Sequence, residues 1–202
     1  VQDRRVAELW VKGVDALLAA YGQAFRFSDD VTLVIKTFPN PHNTVDAQLA
    51  QLRKADAAYP HVILINQDCS DSELVGWYSV SDAFVAPSRG EGLGLPLAEA
   101  MLFNLPVITT GWGGQLDFCD DSTAWLCNYR FEKSRTHLGA THSAWADPDV
   151  DHLAQRLQEV HRLTPAQRTV RTSVAHQRIL RDFTWDRVAQ RTEQALAALA
   201  IQ

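Results

Sequence analysis

The segment AFVAPSRGEGLGLPLAEAMLFNLPVITTGWGG, residues 83–114, places a strand, a glycine-rich loop, a helix and a second strand in immediate succession. An apolar run ends at Ala86, and glycines at 90, 92 and 94 break up the loop that follows. Leu95-Pro96 opens a helix, because proline suits the first helical turn. PVIT, residues 106–109, resumes a strand. In open α/β sheets, ligands bind in the crevice outside the carboxyl ends of the strands. Gly92 and Gly94 permit close backbone approach and positive φ. The free N–H groups at the helix start carry partial positive charge, which makes an anion site suited to phosphate.

The pattern extends outward on both sides. VTLVIK (31–36), HVILI (61–65), AFVA (83–86), PVIT (106–109) and TAWLC (123–127) are short and rich in β-branched or aromatic residues. They are continuous rather than alternating, as strands buried on both faces of a parallel sheet should be. Residues 11–21, 43–58, 71–79 and 96–103 read as helices between them. Asn43-Thr44 and the S-x-x-E capping box at Ser70–Glu73 are start signals. The alternation predicts an α/β, three-layer Rossmann-like domain: an open parallel sheet with helices on both faces. Residues 128–145 are polar, aperiodic and contain Gly139, and read as a long loop. Residues 149–162, 165–182 and 185–200 read as C-terminal helices whose apolar stripes are core, with Thr164-Pro165 and Thr184-Trp185 marking two starts. There is no internal repeat or dividing linker. Residues 1–202 therefore form one domain, about 1–148 being sheet-and-helix core and about 149–202 the helices.

Composition narrows the function. With 46% hydrophobic and 21% charged residues the chain is an ordinary globular one, which excludes a disordered or collagen-like scaffold. No apolar stretch approaches the roughly 18 residues of a membrane helix. A formal net charge of −5 without a basic cluster disfavours nucleic acid and anionic membranes. Cys69, Cys119 and Cys127 show neither a disulfide framework nor metal-ligand spacing, and read as reduced thiols of a cytoplasmic protein.

Two glutamates frame the loop, Glu91 within it and Glu99 in the first turn of the helix, at E-x7-E spacing. Carboxylates repel phosphate but accept hydroxyl groups strongly. A phosphate cradle flanked by two hydroxyl acceptors fits a nucleotide joined to a sugar. Taken singly, Glu99 reads as a charge favouring the helix dipole and Glu91 as a solvated loop residue. Spacing and context together favour the ligand.

P-S-x-x-E-G-x-G-L-P-x-x-E-A-M at residues 87–101, then L-P-V-I at 105–108 and Gly113-Gly114, resembles the donor-binding segment of GT4-type (group 1) retaining glycosyltransferases of GT-B fold. K-G-V-D-A-L-L (12–18), E-L-x-x-x-Y-x-x-x-D-A (73–83), W-A-D-P-D (145–149) and F-T-W (183–185) are similar to further segments of that family. The resemblance covers nearly the whole chain, as the C-terminal, donor-binding half of such an enzyme. The N-terminal acceptor domain is absent, which agrees with a chain starting at Val1 without Met.

The resemblance implies a donor that is a UDP- or GDP-linked sugar, with no metal or other cofactor. It implies that Glu99 holds ribose hydroxyls and Glu91 the sugar hydroxyls. Backbone N–H groups of Gly92, Leu93, Gly94 and Leu95 would bind the diphosphate, and Lys12 would neutralise it as it leaves. The acceptor would be a glycan or a lipid-linked glycan in polysaccharide or glycoconjugate synthesis. Peripheral membrane contact would come through the absent half, at the inner face of the membrane. The chain departs from the family where a strand ending in Gly-Arg normally precedes the lysine. Arg4 and Arg5 lie out of register, so that arginine is replaced or the first strand is trimmed. Lys36, ending the strand 31–36, is a second cation within reach of a donor. Asn104 replaces a usual glycine and suits a left-handed helix end. Gly113 and Gly114 lend backbone donors to the ligand or form a simple turn. Trp112 and Trp145 are candidates for sugar or base contact, with packing as the default. His137 and His142 read as solvent-facing.

Three other readings stay open. One is a nucleotide-sugar epimerase of the same fold, which needs acid/base residues at the sugar. Another is a non-catalytic nucleotide-binding or interaction module. The last, an NAD-binding Rossmann domain, rests only on Gly92-x-Gly94, without a third glycine in register.

Overall fold

A computed structural model describes residues 5–9, 13–39, 43–133 and 144–199. Strands β1 (Arg5–Leu9), β2 (Val31–Thr37), β3 (His61–Asn66), β4 (Ser81–Ala86), β5 (Val107–Thr110) and β6 (Trp125–Cys127) alternate with helices α1 (Val14–Ala24), α2 (Val45–Ala55), α3 (Asp71–Val80) and α4 (Leu95–Leu102). The six strands form one sheet in the order β3-β2-β1-β4-β5-β6, and every pairing is parallel. The order reverses between β1 and β4, so the crevice at their carboxyl ends is the topological switch point.

The period of two sorts side chains into two cores, one on each face of the sheet. Val85 and Ile108 join Leu17, Leu18, Leu33, Leu153 and Leu157 on one face. Their neighbours in sequence, Phe84 and Val107, join Leu97, Met101, Phe118 and Ile179 on the other. Helices α5 (Val150–Arg162) and α6 (Pro165–Asp182) close these two cores from opposite sides. Their starts follow the sequence signals. The Asp149 side chain accepts from the His152 N–H, and Thr164 and Gln167 form a capping box, as do Ser70 and Glu73 before α3. Asn104 ends the α4 turn at φ 56°, the left-handed position expected of it.

Four expectations need correction. The first strand is not trimmed: β1 is the centre of the sheet, paired on both sides. RVAEL hides it, because its charged residues break the continuous apolar run that marks the other central strands. Residues 128–145 are not wholly loop, since β7 (Tyr129–Lys133) pairs antiparallel with β8 (Ala144–Pro148). The strand at 61–65 is not buried on both faces. As β3 it lies at the sheet edge, and Ile63 is 50% exposed. Finally, the last helix, α7 (Trp185–Leu199), contributes nothing to the core, because none of its residues is buried. Gly139, His137 and His142 lie outside the described residues. Among the described residues no helix is long and apolar enough to cross a membrane.

Candidate functional site

Three segments lie at the carboxyl edge of the sheet: Gly13 at the start of α1, residues 87–94 after β4, and residues 111–113 after β5. Two of them deliver a helix start with the same design. Gly13 at the N-cap of α1 has φ 87°, and Gly94 at the N-cap of α4 has φ 85°. Both lie in the left-handed region where a β-carbon is strained. Neither cap has a side-chain hydrogen bond to the first turn. Elsewhere in this chain Ser70, Asp149 and Thr164 supply that bond. The two helix starts that flank the switch point therefore have no side chain of their N-cap residue over them, and their helix dipoles favour an anion there.

Close packing holds the three segments together. A side chain at Gly13 would overlap the Pro87 carbonyl, and one at Gly114 would overlap the Gly92 carbonyl. The Gly114 N–H donates to the Glu91 carbonyl at 3.0 Å. A β-carbon on Gly92 would meet nothing within 4 Å and its φ is not positive, so of the two loop glycines only Gly94 takes the expected left-handed conformation. Beneath the loops Gln115 is fully buried, and its amide donates to the Thr110 and Trp112 carbonyls at 3.1 and 2.9 Å.

The two glutamates occupy distinct settings. Glu91 accepts from the Gly92 N–H at 3.1 Å and from the Ser88 hydroxyl at 3.4 Å, so its carboxylate curls over the glycine loop. Glu99 is half-buried and accepts the phenol of Tyr78 at 3.0 Å. It is not in the first turn of α4, which contains no acidic residue. A dipole role fades within one turn of the helix end, so that bland explanation of Glu99 is withdrawn.

The remaining predicted residues lie as follows. Leu93 and Leu95 are exposed on either side of Gly94, Leu95 at 62%. Gly113, at φ 124°, and Gly114 lead into a 3₁₀ turn that ends at Asp117. Lys36 is buried at the carboxyl end of β2, and its ammonium donates to the Thr37 carbonyl at 3.0 Å. Lys12 lies outside the described residues. Trp112 meets Phe131 edge-on at 5.6 Å, while Trp145 lies under the Arg89 guanidinium at 5.2 Å.

Arg89 is the residue whose importance the motif concealed. Its Nη1 and Nη2 donate to the two carboxylate oxygens of Asp15 at 2.6 and 2.8 Å, and its Nε donates to Asp147 at 2.6 Å. Burial alone raises the Asp15 pKa, and the Arg89 hydrogen bond and charge together with the backbone N–H groups of Ala16 and Asp15 outweigh it, leaving the carboxyl below its ordinary 3.8. Asp15, Tyr78, Gln115 and Asp147 were all missed as site residues. Tyr78 had a faint signal in the E-L-x-x-x-Y spacing, but nothing local marks the others.

The family model for group 1 glycosyl transferases matches residues 4–136, well over half of the chain. The chain belongs to that family. The lipopolysaccharide core biosynthesis mannosyltransferase LpsB of Rhizobium meliloti is 31% identical over 113 residues, covering 56% of this chain and 30% of that enzyme. The C-terminal domain of a group 1 glycosyl transferase (LpcC) from Francisella tularensis superposes with a TM-score of 0.69 at 18% identity, covering 90% of this chain and 87% of that one. Anabaena HepE, solved in complex with UDP and glucose, gives a TM-score of 0.72 at 16% identity, covering 97% of this chain but 49% of that one. The chain thus spans under a third of the mannosyltransferase and about half of HepE. These structural likenesses establish the GT-B-type Rossmann-like fold.

Proposed function

We propose that this chain is the nucleotide-sugar-binding half of a retaining glycosyltransferase, which moves a sugar from a nucleoside diphosphate donor to an acceptor hydroxyl. The observation that carries the proposal is the pairing of two uncapped helix starts, at Gly13 and Gly94, across the β1/β4 switch point with Glu91 and Glu99 beside them. A diphosphate takes the helix starts, bound by backbone N–H groups from Gly92 to Leu95. Glu99, oriented by Tyr78, takes the ribose hydroxyls. Glu91, over the loop, takes hydroxyls of the transferred sugar. Gly113 and Gly114 close the floor by packing on the glycine loop.

Lys12 supplies the cation for the departing diphosphate, one residue before the α1 N-cap. Lys36 is a supporting cation on the neighbouring strand end. With a cation and two helix dipoles aimed at the developing charge, no metal need serve as Lewis acid. The donor is UDP- or GDP-linked, in keeping with a structural neighbour crystallised with UDP and glucose. The acceptor, a glycan or lipid-linked glycan, binds in a further N-terminal domain of the full enzyme, which works in polysaccharide or glycoconjugate synthesis at the cytoplasmic face of the membrane.

Calorimetric titration with UDP, GDP and ADP, and with NAD as control, tests the core of this reading. One of the diphosphates should bind and NAD should not. Glu99→Gln should weaken that binding by about 1.5–3 kcal/mol, the worth of hydrogen bonds to a charged group. Equal affinity in both proteins would remove Glu99 from the ribose.

A further inference from the structure

The loop that carries Glu91 is fixed at three points. Pro87 abuts Gly13, the Glu91 carbonyl accepts from Gly114, and between them stands Arg89. All three of its guanidinium nitrogens donate to carboxylates, two to Asp15 in the first turn of α1 and one to Asp147 in β8. Its carbonyl accepts from the Ala146 N–H at 3.0 Å, and its guanidinium covers the Trp145 ring. The side chain is only 19% exposed. One residue thus binds the glycine loop to the start of α1 on one side and to the β7–β8 hairpin on the other.

We infer that Arg89 is the positioning residue of the donor loop: by bridging Asp15 and Asp147 it sets the spacing between the α1 helix start, Glu91 and the α4 helix start. The inference rests on the donor-binding reading of this site. A direct phosphate contact is a different role, and the charges oppose it. One guanidinium against two carboxylates leaves the cluster with a net negative charge, and every nitrogen already faces an acceptor. Arginine suits the bridge because its planar fork engages one carboxylate with two N–H groups and still offers Nε to another. A lysine ammonium is a point charge that cannot hold both in one geometry.

The sign of one effect separates positioning from direct contact. Asp15→Asn removes a negative charge beside the anion site, so a phosphate-contacting or purely electrostatic Arg89 predicts tighter nucleotide binding. Positioning predicts weaker binding, by about tenfold, since the bidentate bridge is lost. Arg89→Lys should fall with Asp15→Asn rather than restore wild-type affinity. Both proteins would be titrated with UDP and GDP well below their melting temperatures, after circular dichroism has confirmed native helix content. Tighter binding by Asp15→Asn, or wild-type affinity in Arg89→Lys, would overturn the inference. Amide hydrogen exchange on the ligand-free proteins gives an independent arm. Arg89→Lys should speed exchange at residues 90–94 and at Ala146 together, and unchanged protection there would also overturn it. A wild-type chain that binds no nucleotide would sink the proposed function, while the exchange arm still decides the role of Arg89.

Discussion

Asp120 shows how a single side chain writes itself into the pH dependence of stability. The Ser122 hydroxyl and the Arg178 guanidinium donate to its carboxylate and hold its pKa down to about 2, against an ordinary 3.8. A carboxyl depressed in the folded state binds its proton less readily there than in the unfolded chain. Its contribution is therefore fully present above the unfolded value and is lost as pH falls from about 4 through 2. Asp120→Asn should lower the urea midpoint at pH 7 slightly, because the carboxylate is largely exposed and solvent screens it. The two midpoint curves should approach each other as pH falls from about 4 and meet only below 2, and a difference that does not shrink over that range would assign the effect to something other than this ionisation. The thiols make a second residue-scale prediction. Burial pushes Cys119 and Cys127 up to about 12, and the thiolate is the reactive form. At pH 8 a thiol-reactive chromophore should label Cys69 alone in the folded chain and all three after denaturation.

At the scale of elements, the helices differ sharply in what they contribute. Helix α5 buries Leu153, Ala154, Leu157 and Val160 against the sheet, so Leu157→Ala should cost about 2–5 kcal/mol. Helix α7 buries nothing, and Trp185 at its start is 87% exposed. Deleting residues 185–199 should shift the calorimetric melting temperature by no more than about 3 °C, the shift that roughly 1 kcal/mol produces in a chain of this size. A larger drop than Leu157→Ala causes would show that α7 holds the fold. The same contrast explains what the sequence revealed. Strands such as 83–86 and 106–109 were legible because both faces are covered, which makes their residues uniformly apolar. Strand β1 was illegible because RVAEL lacks that signature although it lies at the sheet centre. In α7 the apolar stripe was legible but its burial was not, since periodicity reports a face and not what covers it. At the site, Glu91, Gly94 and Glu99 stand within one contiguous motif and could be read together. The partners Asp15 and Asp147 lie 74 and 58 positions from Arg89, so only the fold brings them to it.

For the whole molecule, the structure separates two tasks that catalysis must combine. The described residues that the proposed function assigns to a nucleoside diphosphate lie along one sheet edge, and Gly13, the glycine loop and Gly114 pack on one another there. Transfer demands more. An acceptor hydroxyl has to be aligned with the anomeric carbon, and water has to be excluded from it. Among the described residues the crevice is bordered by exposed Leu93, Leu95 and Trp112, with no second lobe opposite them. Binding and transfer should therefore come apart in the 202-residue chain. Calorimetry should detect nucleotide, more weakly than in a two-lobed family member, because binding draws on one wall only. Incubation with UDP- or GDP-linked sugars and a glycan acceptor should yield no transfer above the rate without protein. Robust transfer by the purified chain would show that one Rossmann-like lobe aligns both substrates, and would refute the division of labour proposed for it.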